Sequence, residues 1–524
     1  MTHTHPTSPF ESMETMLAAL DGIVSIDADR GVVVVNDRAG IRDSLIDRLI
    51  ATAVFGDGHA RDAARWIIRA AAADLGAWPA SIHQLYMASG RGDYSHRTCP
   101  AINVRGLAYD TMRAIYRAAR ANDCKIMIFE LARSEMSYTQ QRPGEYASNA
   151  LAAAIKEGYE GPVFIQGDHY QISVKNWKSD AEKELNALRD LTAEAIGAGY
   201  YNIDVDASTI VDLSLPTLAE QQQLNAHLTV VMTEFIRERE PEGVTVSIGG
   251  EIGEVGARNS TVEDLHAFMT AYLTELQDRE GATGKNLAGI SKLSVQTGTS
   301  HGGVILPDGS IADVAVDFDT LRDLSAAARA DYGLGGAVQH GASTLPDIAF
   351  GKFAEAGAVE VHLATAFQNL IFEHPAFPSD LKAAIYDYLS TNHADERKPN
   401  QTDAQFFYSA RKRAFAPFKR QMWDMPVETR DRIADDLEAT FSLLMQRLGV
   451  ANSAALVDRL VPRVDVAAPI PEALAATLSG GLVHAGAREE EAVEAVEGSR
   501  SSGDGPPSAA RVHPRHLGSR PVGP

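Results

Sequence analysis

Three histidines of this chain lie directly after short apolar runs, each beside glycine or a small polar residue. His169 follows the run 163–167, His301 follows the run 293–298, and His340 follows the run 337–339. Neutral imidazole is a good zinc ligand, and three protein ligands with an open fourth position form a catalytic rather than a structural site. A lone histidine after a strand is more often a hydrogen-bonded structural residue. Three histidines that each follow a strand predict a catalytic metal site.

The elements that would position these histidines form a repeating pattern. Apolar strand-like runs alternate with helical stretches at 111–121, 180–196, 218–237 and 261–276. The eight runs are 101–104, 125–129, 163–165, 201–205, 244–248, 293–295, 336–338 and 359–363. This alternation predicts an α/β protein, a (β/α)8 TIM barrel with N- and C-terminal helical extensions. An open doubly wound sheet is the alternative, but no Gly-x-Gly-x-x-Gly turn follows the first strand.

Polar residues follow many of the predicted strands, which would place them at the C-terminal rim of a barrel, where barrel enzymes hold their chemistry. These residues are Asp168, His169, Asp206, Glu251, His301, His340 and Thr365. Asp204 lies two residues before Asp206, so both would face the same side of a strand. The pair would share one cation site, or Asp204 would be only a buried hydrogen-bond acceptor.

The composition changes along the chain predict four parts. Residues 1–92 read as a mostly helical extension with one short strand at 31–35, and residues 93–373 form the barrel domain. Residues 374–465 read as a helical extension that includes an amphipathic helix at 428–448. The tail 466–524 is rich in Ala, Gly, Ser, Pro and Glu, which predicts disorder.

The overall composition favours a soluble enzyme. Hydrophobic residues make up 45% of the 524, and the formal net charge of −22 argues against nucleic acid or an anionic membrane as a partner. Only two cysteines occur, so a disulfide framework is not expected. The first ten residues lack the apolar core of a signal peptide, and no apolar stretch approaches the roughly 20 residues of a membrane span. We therefore expect a cytoplasmic location.

Taken together and in order, the motifs resemble those of the class II, zinc-dependent fructose-bisphosphate aldolases. The motifs are Gln-Gly-Asp-His at 166–169, Thr-Ser-His-Gly at 299–302 and His-Gly-Ala-Ser at 340–343, with Asp-Ala-Ser at 206–208 and Glu-Ile-Gly at 251–253 between them. The resemblance spans residues 100–368, as in a divergent member of that family.

The resemblance implies a role for each of these residues. His169, His301 and His340 would bind zinc, and Asp206 and Glu251 would orient the ligands or bind a second divalent or monovalent cation. Asp168 would be the catalytic acid and base. Gly302, Gly341 and Ser343 would bind a phosphate group, and Asn103 and Thr365 would make further substrate contacts.

The reaction that the resemblance implies is the reversible cleavage of a phosphorylated ketose, such as fructose 1,6-bisphosphate, into dihydroxyacetone phosphate and an aldehyde. This is an aldehyde-lyase reaction of carbohydrate metabolism, of the kind found in glycolysis. By family analogy we also expect a homo-oligomer.

Three departures from the family pattern keep other functions open. The loop after Glu251 is short, so that Glu254 is the nearest substitute for the enolising base. His362 and Ala132 stand where the family typically has asparagine and serine. The alternatives are a non-catalytic or regulatory subunit, like the partner of tagatose-bisphosphate aldolases, and a metal-dependent sugar isomerase or hydrolase.

Overall fold

The computed structural model describes residues 8–253, 258–298 and 316–479. Described residues up to Pro471 belong to one compact unit, and a second unit begins at Glu472, with residues 472–479 helical. The predicted boundaries at residues 92, 373 and 465 stay a prediction. No helix among the described residues is long and apolar enough to cross a membrane.

Eleven strands lie within the described residues. They are β1 (Val24–Asp27), β2 (Val32–Val35), β3 (Ala77–Ala80), β4 (Cys99–Asn103), β5 (Ile128–Ala132), β6 (Gly161–Gln171), β7 (Asn202–Asp206), β8 (Ser247–Glu251), β9 (Lys292–Val295), β10 (Ala337–Gln339) and β11 (Glu360–Leu363). β1 and β2 form a separate antiparallel pair that contains the strand predicted at 31–35.

The eight strands from β4 to β11 form a closed parallel barrel. Each pairs with the next along the chain, and β11 pairs with β4 through Glu360 opposite Cys99 and Leu363 opposite Ile102. Helices connect these strands, as right-handed βαβ units require. The predicted (β/α)8 TIM barrel is therefore confirmed, and each of the eight predicted strands overlaps a barrel strand.

Among the described residues, twenty α-helices lie in the compact unit that ends at Pro471. They are α1 (Met13–Leu20), α2 (Arg38–Gly40), α3 (Ile46–Phe55), α4 (Gly58–Asp74), α5 (His83–Gly90), α6 (Ala108–Ala121), α7 (Arg133–Thr139), α8 (Pro143–Glu157), α9 (Val174–Ser179), α10 (Ala181–Ala198), α11 (Leu218–Arg237), α12 (Val262–Thr283), α13 (Phe318–Tyr332), α14 (Phe350–Ala356), α15 (Thr365–Glu373), α16 (Ser379–Asn392), α17 (Asp403–Ala410), α18 (Lys419–Trp423), α19 (Val427–Arg447) and α20 (Ala454–Leu460).

Local sequence signals fix where the barrel helices begin. α11 starts at a capping box, in which the Glu220 amide donates to Thr217 Oγ1 at 3.2 Å and the Thr217 amide donates to Glu220 Oε2 at 3.1 Å. Thr261 and Asp264 form the same arrangement at the start of α12. These reciprocal bonds satisfy amides that have no partner within the helix.

A ninth parallel strand joins the sheet from the N-terminal part of the chain. β3 pairs with the first half of β6, with Ala77 opposite Gly161, whereas β6 and β7 pair only from Gln166 and Asn202 onward. The buried side-chain amide of Asn202, on β7, links β3 to β6. Its Oδ1 accepts from the backbone amide of Ile82 at 2.8 Å, just after β3, and its Nδ2 donates to the carbonyls of Ala80 on β3 and Ile165 on β6.

β6 is longer than predicted and irregular. The sequence predicts that the strand ends before Asp168 and His169, but the strand continues to Gln171 and its pairing with β7 shifts between Gly167 and Tyr170. His169 lies in this bulge with φ +40°, in the left-handed region that a non-glycine residue seldom adopts. The prediction of a strand end was wrong here, because the bulge keeps the strand paired beyond the motif.

Candidate active site

The bulge in β6 explains how two consecutive residues both reach the barrel mouth. In a regular strand Asp168 and His169 would face opposite sides of the sheet. With the bulge, His169 Nε2 lies 3.8 Å from Asp168 Oδ1, and both side chains are at least four-fifths buried. Gly167 allows this turn of the chain, since a Cβ there would lie 2.3 Å from the ring of Tyr170.

Carboxylates from the next two strands surround His169. Its Nδ1 lies 3.1 Å from Glu251 Oε2 at the end of β8 and 3.3 Å from Asp206 Oδ2 at the end of β7. Burial disfavours the charged ring, but Asp168, Glu251 and Asp206 outweigh this effect and raise the pKa of His169 well above its usual range. Burial, and then the charge of Asp206, raise the pKa of Glu251 to about 6. The pocket is thus strongly attractive to positive charge.

His340 completes the group from the end of β10. Its ring centroid lies 4.2 Å from that of His169, with the ring planes inclined at 46°. His340 Nε2 lies 3.1 Å from Ser294 Oγ on β9. The next residue, Gly341, has φ +73°, a conformation that favours glycine, so the chain turns sharply after the histidine.

The donors at this mouth fit a divalent cation. One ligand atom from each of His169, Glu251 and His340 lies within 4.8 Å of the other two. Imidazole nitrogen with carboxylate oxygen suits zinc and related transition metals. Asp206 beside His169 is the kind of carboxylate that orients a ligating imidazole. The same groups leave an excess of negative charge that a bound metal would neutralise.

Asp168 also contacts a second cluster further along the barrel wall. Its Oδ1 lies 3.2 Å from His362 Nδ1, and the same nitrogen lies 2.9 Å from Glu130 Oε2. Glu130 is 1% exposed. Burial, and then the charge of Asp168, raise the pKa of Glu130 to about 8. His362 therefore contacts the predicted catalytic residue directly, a contact that the sequence left undecided.

The predicted substrate positions fall into two groups. Ser343 Oγ accepts from the Thr365 amide at 3.2 Å, so these two residues lie together after β10 and β11. Asn103 ends β4 and instead binds protein groups, since its Nδ2 donates to Glu135 Oε2 at 2.5 Å and its Oδ1 accepts from Arg105 Nε at 3.1 Å. The predicted residues Glu254, His301 and Gly302 lie outside the described residues.

A fully buried lysine stands beneath the site. Lys292 Nζ, on β9, lies 2.6 Å from Glu360 Oε1, 2.8 Å from Gln166 Oε1 and 2.9 Å from Asp204 Oδ1. Burial opposes its charge, but Asp204 and Glu360 outweigh burial and raise the pKa of Lys292. The interior of a TIM barrel is usually filled by branched apolar side chains. Here a network of ion pairs and hydrogen bonds fills part of it.

Sequence reasoning missed most of this network. Glu360 interrupts the apolar run predicted as a strand at 359–363. Glu130, Gln166 and Lys292 lie directly beside the runs at 125–129, 163–165 and 293–295, and none of the four was assigned a role. The available signal was their spacing: Glu360 and His362, like Asp204 and Asp206, are two residues apart and so face the same side of a strand. A charged residue within a strand whose neighbours are apolar indicates a polar barrel interior.

The sequence matches the model of one protein family. That family is described as fructose-bisphosphate aldolase, class II, and the match covers residues 91–423. The matched segment includes all eight barrel strands and the five carboxylate and imidazole groups described above at the mouth. No curated protein sequence matches the chain.

Among solved structures, three similar chains illustrate the range. A putative fructose-1,6-bisphosphate aldolase from Coccidioides immitis is 17% identical, with 71% of this chain and 97% of that chain covered and a TM-score of 0.39. A fructose-bisphosphate aldolase from Campylobacter jejuni is 16% identical, with 72% and 96% covered and a TM-score of 0.42. A fructuronate-tagaturonate epimerase from Cohnella laeviribosi is 12% identical, with 75% and 86% covered and a TM-score of 0.45.

Proposed function

The chain belongs to the class II fructose-bisphosphate aldolase family, and on this premise we propose that it is a zinc-dependent aldolase. It would reversibly cleave a phosphorylated ketose, of the fructose 1,6-bisphosphate kind, into dihydroxyacetone phosphate and an aldehyde. The observation that carries the proposal is the convergence of His169, His340 and Glu251 at the barrel mouth, with Asp168 beside them.

The metal would be held by His169 and His340, with His301 as the predicted third histidine. Asp206 and Glu251 lie beside Nδ1 of His169 and would fix the orientation of its ring. When bound, zinc supplies Lewis-acid polarisation of the substrate carbonyl. The excess of carboxylates at the mouth supports a cation at this position.

Asp168 is the residue that we assign to proton transfer. In cleavage it would take the proton of the hydroxyl at the carbon that becomes the aldehyde, as the carbon–carbon bond breaks. In condensation it would return that proton to the new hydroxyl. Its place beside His169, in a bulge that turns both side chains inward, supports this role.

Lys292 argues against the other common aldolase chemistry, in which a lysine amine forms a Schiff base with the substrate. A nucleophilic amine must lose its proton. Burial with two carboxylates keeps Lys292 protonated instead, and its ammonium group is already bound to Glu360, Asp204 and Gln166. The buried lysine therefore has a structural role.

The remaining assignments belong to the same proposal. Gly302, Gly341 and Ser343 would bind the substrate phosphate, and Asn103 and Thr365 would contact the sugar. Glu254 would supply the base for enolisation. A cytoplasmic location, a role in glycolysis and a homo-oligomeric state stay predictions.

A cleavage assay with defined metal content tests the proposal. The purified protein, stripped of metal and then loaded with zinc, should cleave fructose or tagatose 1,6-bisphosphate, and the stripped protein should not. The Asp168→Asn variant should bind as much zinc as the parent but lose about 100-fold or more of the cleavage rate, the usual contribution of a general acid or base.

Three results would count against the proposal. A protein that stays zinc-free in zinc-replete medium cannot use the assigned mechanism. Zinc binding with unchanged turnover in Asp168→Asn would remove Asp168 from the reaction. Turnover of unphosphorylated sugars, without carbon–carbon cleavage, would favour the isomerase alternative.

A further inference from the structure

His362, on the last barrel strand, directly contacts the carboxylate that we assign to proton transfer. Its Nδ1 lies 3.2 Å from Asp168 Oδ1 and 2.9 Å from Glu130 Oε2. All three side chains are more than nine-tenths buried, and ion pairs at such burial are little screened by the solvent. The orientation of the Asp168 carboxylate therefore depends on where the His362 ring lies.

Contacts on two other sides hold the His362 ring in place. Its Nε2 lies 2.6 Å from Glu360 Oε1, and the ring stacks on that of His340, with centroids 4.0 Å apart and planes inclined at 21°. Glu360 is itself held by the Lys292 ammonium at 2.6 Å and by the side-chain amide of Gln166 at 2.8 Å. The ring therefore cannot turn without breaking a buried ion pair.

The ring nitrogen that faces Asp168 carries a proton. A lone pair at Nδ1 would face carboxylate oxygens that also carry lone pairs, and these groups would repel one another. Burial disfavours a charged ring, but Glu130 and Asp168 outweigh this effect and raise the pKa of His362 well above its usual range. Both ring nitrogens are therefore donors, with Nε2 toward Glu360 and Nδ1 toward the other two carboxylates.

A carboxylate that accepts and returns a proton must stay within hydrogen-bonding reach of the reacting hydroxyl. The terminal torsion of aspartate is broad, so the group rotates unless contacts fix it. His362 Nδ1 lies 3.2 Å from Asp168 Oδ1, whereas Nε2 of the neighbouring His169 lies 3.8 Å from the same oxygen. Of these two imidazoles, His362 is the closer to Oδ1.

We propose that His362 is a positioning residue, which holds the Asp168 carboxylate in the orientation that proton transfer requires. This proposal rests on the proposed aldolase function and on the role that Asp168 has in it. His362 acts through Asp168, so the role requires no contact between His362 and the substrate. Glu360 and Lys292 contribute indirectly, because they hold the His362 ring.

Two substitutions of His362 separate this role from a purely structural one. The amide nitrogen of asparagine is as many bonds from the backbone as Nδ1 of histidine, and that of glutamine is as many bonds away as Nε2. His362→Asn therefore keeps a donor for Asp168 and loses the donor for Glu360, whereas His362→Gln does the reverse. Both variants lack the charge of the ring, so each is the matched control for the other.

Cleavage kinetics of the zinc-loaded, full-length variants measure the difference. The kcat of His362→Gln should be roughly 10- to 100-fold below that of His362→Asn, the range typical when a side chain loses the partner that orients it. KM and zinc content should be the same in the two variants. A kcat that is equal in both, or lower in His362→Asn, would overturn the proposal.

Crystal structures of the same two variants decide the question without an activity measurement. The Asp168 carboxylate should keep its orientation in His362→Asn and rotate in His362→Gln. The same orientation in both variants contradicts the positioning role, even in an active aldolase. A parent protein that cleaves no ketose phosphate contradicts the proposed function instead, and the orientation of Asp168 in the variants still tests the contact.

NMR of the histidine-labelled parent replaces these measurements if neither variant folds. With 15N in the rings, His362 should show a proton on Nδ1 whose signal shifts in Asp168→Asn. An Nδ1 without a proton, or a signal that ignores the loss of the Asp168 charge, would overturn the proposal.

Discussion

His169 shows how much of the site depends on a single backbone conformation. Its φ of +40° lies inside a strand, where a non-glycine residue in the left-handed region costs about 1–3 kcal/mol. The neighbouring carboxylates of Asp206 and Glu251 and the pairing of Tyr170 with Val205 hold it there. The conformation turns His169 to the same side as Asp168. Strain of this kind is typical of a residue whose orientation serves a ligand.

Lys292 is the residue on which the buried ion pairs depend. Lys292→Met removes the one ammonium that the described residues place within reach of Glu360 and Asp204, while preserving most of the side-chain volume. Breaking a buried ion pair by removing one partner costs about 3–5 kcal/mol, because a buried charge is left uncompensated. We expect the free energy of unfolding to fall by about that amount, measured by urea denaturation.

An exposed ion pair provides the matched control. Asp319 and Arg322 lie near the start of α13, and both side chains are more than half exposed. Arg322→Ala should change the free energy of unfolding by less than about 1 kcal/mol. A Lys292→Met protein as stable as this control would show that the interior ion pairs contribute little.

At the scale of the elements, sequence periodicity located the strands well but not their ends or irregularities. The predicted strands at 293–295 and 359–363 differ from β9 and β11 by one residue, because apolar runs and turn residues bound them clearly. β5 begins at Ile128, three residues after the predicted start at 125. The bulge in β6 left no signal in the apolar pattern, since it depends on pairing with β7 rather than on local composition.

The same limits apply to the candidate site. Asp168, His169, Asp206, Glu251 and His340 come together as the sequence predicted, because parallel strand ends meet at one rim. The contacts of His362 with Glu130 and Asp168 were not predicted, since they need the barrel to close: His362 lies on the last barrel strand, and Glu130 and Asp168 lie on the second and third. Contacts across a barrel depend on its geometry and not on spacing along the chain.

β3 was also missed, because four residues that include Pro79 carry almost no strand signal.

The attachment of β3 to the barrel depends on the side chain of Asn202. Asn202→Ala leaves the buried Ile82 amide without its acceptor, which costs about 1–3 kcal/mol. We expect that loss in the free energy of unfolding and faster hydrogen exchange at the Ile82 amide.

Asn392→Ala is the comparison for this change, since Asn392 donates to a carbonyl on the exposed surface of α16. It should alter stability by less than about 0.5 kcal/mol. Protection of the Ile82 amide that survives the loss of Asn202 would mean that β3 is held by its pairing with β6 alone.

At the scale of the whole molecule, we expect the free energy of unfolding to depend on pH through His83. This buried histidine is distant in the sequence from the predicted metal ligands. Burial, and then the charge of Arg237, lower the pKa of His83 to about 4 from an ordinary value near 6.5. Between pH 4 and pH 6.5, His83 is protonated in the unfolded chain but neutral in the folded protein. Stability is therefore lost as the pH falls from about 6.5 to 4, by up to about 3 kcal/mol from this residue.

Comparison with His83→Gln isolates this effect from the other titrating groups. Urea denaturation of both proteins at pH 7, 5.5 and 4 gives the difference in their free energies of unfolding. The parent should lose stability relative to the variant as the pH falls. A difference that is constant with pH would show that His83 titrates normally in the folded protein.

The most direct test of the central claim, a metal-dependent site that activates a ketose phosphate, is hydrogen exchange at C3 of dihydroxyacetone phosphate. The zinc-loaded protein is incubated with this compound in D2O, and the C3 proton signal is followed by NMR. We predict loss of one C3 proton, abolished by chelation and in His169→Ala. A zinc-loaded protein that binds the compound without any exchange would contradict the account.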